Sequence, residues 1–172
     1  MQLKIYKLYE FVDDLKYATE NSACFDIPAF IQYQTAVKLY TKDNKFVESL
    51  ATNDADMKGN YITIPAEWRC FVPTGLIFDI PINHCVKIYA RSGLSSKKGL
   101  NLINSVGIID SDYTEQIYIP IYNNSQERIK IYNGERIAQA ELVYQPQIEL
   151  SYISERPNRK TDRSGGFGST GL

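Results

Sequence analysis

The chain is poor in the side chains that build metal centres and nucleophile pairs. It has one histidine, His84, and three cysteines, Cys24, Cys70 and Cys85, among 172 residues. Three is an odd number and none sits at metal-ligand spacing, which argues against a zinc site and against a disulfide framework. The cysteines read as reduced core thiols of an intracellular, cytoplasmic protein. A lone histidine leaves no Ser-His or Cys-His pair, and His84 reads as a loop or surface residue. No charge of one sign dominates either: 19 basic against 20 acidic residues give a net charge of -1. Bulk charge therefore points to neither a nucleic acid nor a membrane surface as partner. No apolar run reaches the roughly 18 residues of a membrane span. The start, MQLKIYKLYE, alternates and carries charges, unlike a signal peptide.

What the chain does have is tyrosine, 13 of them, with many Ile and Val, a composition that favours strands. Its length allows one domain with a real apolar core. Residues 2–8 alternate and predict an opening strand; residues 10–22 predict a loop. In ACFDIPAF, residues 23–30, Asp26 sits inside an apolar run, which is costly without a partner. It either pairs a structural arginine, or holds a phosphate-binding arginine or a metal-bound water in place. Residues 31–59 differ in character. Two apolar runs flank Lys42-Asp43-Asn44-Lys45 and predict an added hairpin or small subdomain, with a helix across 45–52 as the alternative. ATNDADMKGN, residues 51–60, reads as a polar surface loop.

From residue 61 onward short segments rich in β-branched and aromatic residues follow one another: YITIP, RCFVP, LIFDIP, CVKIYAR, EQIYIPIYN, RIKIY and RIAQAELVY. Pro, Gly and Asn breaks at 65–66, 73–75, 81–83, 123–125 and 133–134 separate them. Such spacing predicts an all-β sandwich, jelly roll or barrel. One short helix is predicted, Ser92 to Lys98, stopped by Gly99. Residues 155–172 are polar and Gly-rich. They read as a tail disordered by itself, yet Phe167 with Gly168, Ser169 and Thr170 has the make-up of a phosphate nest beside a stacking ring. A tail that closes over a ligand reconciles the two readings.

The stretch from Arg91 to Tyr113 carries the chemistry. Arg91 and Ser92, followed by Gly93, suit phosphate. Asn104 offers an amide to a base edge. Asp110, an acid that looks buried, can take a proton, and Tyr113 supplies a ring for a sugar. Together they describe a nucleotide site.

Five motifs stand in order along the chain: ACFDIPA (23–29), ARSGLSSKKG (90–99), NSVGIIDSDY (104–113), NGERIAQ (133–139) and DRSGGFGSTG (162–171), with VPTGL (72–76) before the second. In that order they resemble the trimeric, all-β dUTP diphosphatases, the dUTPases. The resemblance implies a distorted jelly roll or β-barrel over 1–154, with an insertion at about 31–59 and an arm, 155–172, that closes over an active site. It implies hydrolysis of dUTP to dUMP and diphosphate with Mg2+, which keeps uracil out of DNA and supplies dUMP for thymidylate synthesis. Asp110 then resembles the general base for water attack at the α-phosphorus, and Tyr113 the ring against the deoxyribose. Asn104 and the backbone at 106–109, Gly107 and Ile109 within it, resemble the hairpin that reads uracil. Ser92, Gly93 and Gln139 resemble phosphate contacts. Arg91 resembles another, or else pairs a buried acid across a subunit boundary. Arg136 resembles a structural residue. Phe167 resembles the ring that stacks on uracil, with Arg163, Gly168, Ser169 and Thr170 on the γ-phosphate. The metal is expected on the phosphates and waters, with no direct protein ligand and Asp26 reaching it through water. A homotrimer with shared sites is implied too.

Three positions depart from the family pattern. Cys24 stands where a glycine is usual, Thr114-Glu115-Gln116 follow Tyr113 where a glycine is usual, and the fifth motif is one residue shorter after Arg163. A related dCTP deaminase is the enzymatic alternative, against which Gly93 and Tyr113 both speak. A nucleotide-sensing regulatory protein that binds a partner through residues 31–59 is the other.

Overall fold

The computed structural model describes residues 2–54 and 59–162. Among these the chain forms fourteen strands and one helix. In chain order the strands are β1 (Lys4–Lys7), β2 (Phe25–Pro28), β3 (Ala36–Tyr40), β4 (Phe46–Leu50), β5 (Thr52–Asp54), β6 (Gly59–Ile64), β7 (Arg69–Pro73), β8 (Leu76–Asp79) and β9 (His84–Tyr89). After helix α1 (Ser92–Lys98) come β10 (Leu100–Leu102), β11 (Val106–Ile109), β12 (Tyr118–Asn123), β13 (Ile129–Tyr132) and β14 (Arg136–Tyr144). The all-β jelly-roll-like expectation and the single short helix are both met.

Alternation does the sorting. In β12, Ile119, Ile121 and Asn123 turn inward while Tyr118, Pro120 and Tyr122 face out. Four antiparallel sheets result, with strand orders β1-β8, β10-β12-β7-β3-β4, β11-β9-β14-β2 and β13-β6-β5. Their inner faces share one core in which Ile27, Ile64, Val72, Leu76, Val86, Ile119 and Ile131 are fully buried. Two polar side chains lie in it, and both are satisfied. Thr74 donates its hydroxyl to the Ile117 carbonyl at 2.7 Å. Asn123 donates to the carbonyls of Ile64 and Glu127 at 2.9 and 2.8 Å.

The extra segment folds as the expected hairpin, not as a helix. Strands β3 and β4 pair from Ala36–Leu50 to Tyr40–Phe46. Asn44 takes φ 62° in the turn, and the Thr41 hydroxyl accepts from the Lys45 amide. The hairpin is also part of the main sheet, because β3 pairs with β7 and buries Val37 and Leu39 in the common core. The loop expected at 51–60 is a correction. Thr52–Asp54 is a strand, paired with Asn60 and its neighbours in β6. Polar residues reach strand geometry here because β6 offers them a ladder of hydrogen bonds, which outweighs weak local propensity.

Helix α1 ends as its sequence predicts. Gly99 adopts the left-handed conformation at φ 65° and its amide bonds the Leu94 carbonyl. At the opposite edge of the core, Gly75 has φ 69°, and a Cβ there would come within 2.8 Å of Val12 and 3.0 Å of Phe30.

Candidate active site

The site residues fall into two groups, one following the C-terminal end of β9 and one running along β11 beside it, with Asp110 at the far end. The C-terminal end of β9 delivers Ala90, Arg91 and Ser92. The facing strands there are β14, where Gln139 opposes Tyr89, and β2, where Asp26 opposes Gln139. Asp26 is held at 13% side-chain exposure between two arginines. Arg91 donates its Nε to one carboxylate oxygen at 2.7 Å and a second N–H to the Arg136 carbonyl at 3.0 Å. Arg136 donates to the other carboxylate oxygen at 3.0 Å. The acid inside the apolar run is thus compensated within its own chain. Arg91 thus has an acid of its own chain as a partner. The reason is register: β14 brings β2 beside β9, and Asp26 comes with it.

Two further bonds hold the turn after β9. Gln139 donates its Nε2 to the Ala90 carbonyl at 2.9 Å, and Tyr89 donates its hydroxyl to Glu141 at 2.7 Å. The Glu141 carboxylate, together with burial, pushes the Tyr89 phenol up to about 12. Neither Tyr89 nor Glu141 was legible as part of a site, since each reads simply as a strand residue. Within this frame Ser92 and Gly93 open α1. The Leu94 and Ser95 amides both bond the Arg91 carbonyl, whereas the first amides of any helix have no acceptor inside it. Ser92, Gly93, Gln139, Arg91, Asp26 and Cys24 line a cavity of about 280 Å³. Burial first, then the Glu141 and Asp26 carboxylates, raise the Cys24 thiol, which stays protonated at neutral pH.

Gly93 has no crowding neighbour: a Cβ there would meet nothing within 4 Å. Glycine costs a helix about 1 kcal/mol relative to alanine, so packing within this chain does not require it. If Gly93 is a phosphate contact, as the resemblance implies, Gly93→Ala is expected to hold or raise the melting temperature while weakening nucleotide binding about tenfold or more, because the methyl would enter the space left open for the phosphate. Thermal unfolding and KM, measured on one preparation, check this. Unchanged KM would remove Gly93 from the site.

The other group lies on β11, which pairs with β9 from Val106–Tyr89 to Ile109–Val86. Ser105 takes φ 60° in the preceding turn. Gly107 is closely packed here, since a Cβ would stand 3.2 Å from Ile88 and 3.6 Å from the Asn104 amide nitrogen. Asn104 is exposed on this turn. Tyr113 is 40% exposed. Its hydroxyl donates to the Gln116 carbonyl at 3.1 Å, and its amide bonds the Asp110 carbonyl. The residues that replace the usual glycine after Tyr113 therefore tie the loop down, and the return strand begins at Tyr118. Asp110 is exposed, not buried. Ile108 before it is itself 59% exposed and Ile109 only half-buried, so the apolar run does not carry Asp110 into the core.

Asp110 and Tyr113 face different spaces. Asp110 lines a polar cavity of about 690 Å³ with Lys87, Asp112 and His84. His84 begins β9; its Nδ1 donates to the Ile82 carbonyl at 2.9 Å and its Nε2 is buried without a partner. Tyr113 and Ile109 line an apolar cavity of about 260 Å³ with Phe71, Pro120 and Lys38. Lys38 was not singled out from sequence, since only strand register brings it near Tyr113. Between Asp110 and Arg91 lies nearly the whole of β9, roughly 15–20 Å at the usual rise per residue. One chain does not bring its own phosphate group and its own Asp110 together. Arg163, Phe167, Gly168, Ser169 and Thr170 lie outside the described residues.

The structure thus joins an all-β fold to an arginine-framed cavity at the start of α1 and a separate turn before β11. The dUTPase family model matches residues 54–171, more than half of the chain, and the chain belongs to that family. The deoxyuridine 5'-triphosphate nucleotidohydrolase of Finegoldia magna is 39% identical over 142 residues, covering 78% of this chain and 98% of that protein. The same enzyme of Roseobacter denitrificans is 39% identical over 129 residues, covering 72% and 84%. Among solved structures, a variant of the Staphylococcus bacteriophage 80alpha dUTPase with dUpNHpp has a TM-score of 0.73 at 20% identity, covering 99% of each chain. At that identity the likeness shows the fold.

Proposed function

We propose that the protein hydrolyses dUTP to dUMP and diphosphate, with Asp110 as the base and with each active site assembled from more than one copy of the chain. The observation that carries this reading is the separation of Asp110, toward the start of β9, from Arg91 and Ser92 after its end. A phosphate cavity without a base, and a base without phosphate ligands, are each inert alone. Another copy, docked so that its Arg91 end meets this Asp110 end, completes the constellation. The family resemblance supports a homotrimer as that assembly, with residues 155–172 as an arm reaching over a neighbour.

The chemistry follows from the residues. Asp110 orients a water and takes its proton as the water oxygen bonds the α-phosphorus. The α–β phosphoanhydride bond breaks and diphosphate leaves with its charge. Ser92, the amides of Ser92 and Gly93, and the Arg91 frame hold phosphate oxygens. Gln139 holds the turn through Ala90 and keeps a second N–H for a phosphate. Tyr113, packed on the deoxyribose, leaves no space for a 2′-hydroxyl. Asn104 and the 106–109 backbone pair with uracil, and cytosine would put a donor against a donor.

Mg2+ suits this donor set only as a companion of the triphosphate. No group of three or more His, Cys, Asp or Glu side chains among the described residues could hold a metal ion. Both Asp26 oxygens carry arginines, which leaves it as a holder of Arg91 and, at most, of a metal-bound water. When bound, Mg2+ would neutralise phosphate charge. The dUTPase of phage phi11, 18% identical, coordinates a structural Mg(II) ion.

Diphosphate release from dUTP, UTP, dTTP and dCTP, side by side with Mg2+ present, tests the reading. Release from dUTP alone is expected. Equal turnover of UTP would remove the Tyr113 assignment, and ammonia from dCTP would replace the reaction.

A further inference from the structure

Strands β3 and β4 precede the stretch that the family model matches, which begins at residue 54. Strand β3 nevertheless supplies Lys38 to the wall of the cavity that Tyr113 and Ile109 line. Register sets this wall out. Lys38 on β3 opposes Phe71 on β7, and Phe71 opposes Pro120 on β12. All three side chains stand on the outer face of the sheet, and with Tyr118 they floor the cavity against Ile109 and Tyr113.

Lys38 is the only charged residue of that lining. Glu48 stands opposite it on β4, yet no ion pair engages Lys38 among the described residues. An ammonium group at the mouth of an otherwise apolar cavity keeps its hydration only while the cavity is open. A ligand that fills the space removes that water, and the three N–H donors then require acceptors. A cavity of about 260 Å³ walled by aromatic and aliphatic side chains suits a nucleoside better than a triphosphate. A nucleoside brings acceptors and no charge of its own: sugar hydroxyl oxygens and base carbonyls.

We infer that Lys38 is a substrate-contacting residue that donates to a neutral oxygen of the nucleoside, so that the β3–β4 hairpin takes part in substrate selection. The inference rests on the proposed reading of Tyr113 as a nucleoside contact. Its role is in binding, not in the chemical step, since the hydrolysed bond is at the phosphate end.

The experiment uses the full chain and three variants: Lys38→Met, which keeps the apolar stem, Lys38→Arg, which keeps the charge, and Tyr113→Ala. Steady-state kinetics with dUTP, inhibition by deoxyuridine and thermal unfolding are measured for each. Lys38→Met is expected to raise KM for dUTP and the deoxyuridine inhibition constant alike, by about tenfold, as for loss of one charge-assisted hydrogen bond. Turnover and melting temperature stay close to the parent, because Lys38 is exposed, and Lys38→Arg recovers part of the loss. If Lys38→Met leaves both constants unchanged while Tyr113→Ala raises them, the inference is overturned and the nucleoside reading stands. If dUTP weakens and deoxyuridine does not, the cation acts on the phosphates and the nucleoside contact is overturned. If Tyr113→Ala changes neither constant, the reading of the cavity fails, and this inference fails with it.

Discussion

Asp110→Asn is expected to fold, assemble and bind a non-hydrolysable dUTP analogue while losing turnover by ~10²–10⁴-fold, the usual worth of a general base. Three observations make this clean. Asp110 is exposed, so an amide there strands no charge and leaves no cavity. Among the described residues no hydrogen bond to its carboxylate supports the fold; its backbone carbonyl, which accepts from the Tyr113 amide, is retained. Asparagine has almost the same shape and can still orient a water, but it does not take the proton. Loss confined to kcat, with analogue affinity and melting temperature unchanged, would locate the effect in the chemical step. Near-parental kcat would remove Asp110 from the base role and turn attention to the other groups of its cavity, His84 first.

Asp26→Ala is expected to do the reverse, damaging stability and activity together. Asp26 and Arg91 are both mostly buried, at 13% and 24% side-chain exposure. Removing the acid leaves the Arg91 guanidinium with the Arg136 carbonyl alone. An unsatisfied, partly buried charged group of this kind costs about 1–3 kcal/mol. The Arg136 contact adds little, since that side chain is 56% exposed and water screens it. At about 2–4 °C per kcal/mol for a chain of this size, the melting temperature should fall by several degrees. The turn at 90–93 loses one of its tethers as well, and displacements near 1 Å at a reacting centre cost ~10²-fold. We therefore expect kcat/KM to fall by about that factor. Asp26→Asn, which keeps the shape and loses the charge, should lie between the two. Unfolding and kcat/KM unchanged in both variants would show that the arginine frame is incidental to the site.

The two substitutions differ in how visible their targets were in sequence. Asp110 is legible because IDSDY places an acid at a strand end beside an aromatic, and the motif order supports it. Its exposure was misjudged, since two isoleucines before it suggest burial and only the β11–β9 register shows where the strand stops. Asp26 is legible as a buried acid in need of a cation, but the choice between a partner in the same chain and one across a boundary depended on β2 lying beside β14. The polar stretch at 52–54 was misread for a similar reason. Nothing in Thr-Asn-Asp favours a strand; the free edge of β6 does. Lys38 carried no signal at all, because its importance comes from facing Phe71 and Pro120 across two strand pairings.

From the residues alone came everything that depends on local chemistry and order along the chain. That includes the short strands and their breaks, the helix with its glycine stop, a hairpin turning at 42–45, and the family. Tertiary structure decided which of these groups meet. Strand register is set by burial of alternate side chains over many residues, so it is a property of the whole core and not of any one motif. Through register, β9 holds Arg91 and Ser92 at one end and Asp110 at the other, Asp26 is joined to two arginines, and Lys38 is carried into the cavity of Tyr113.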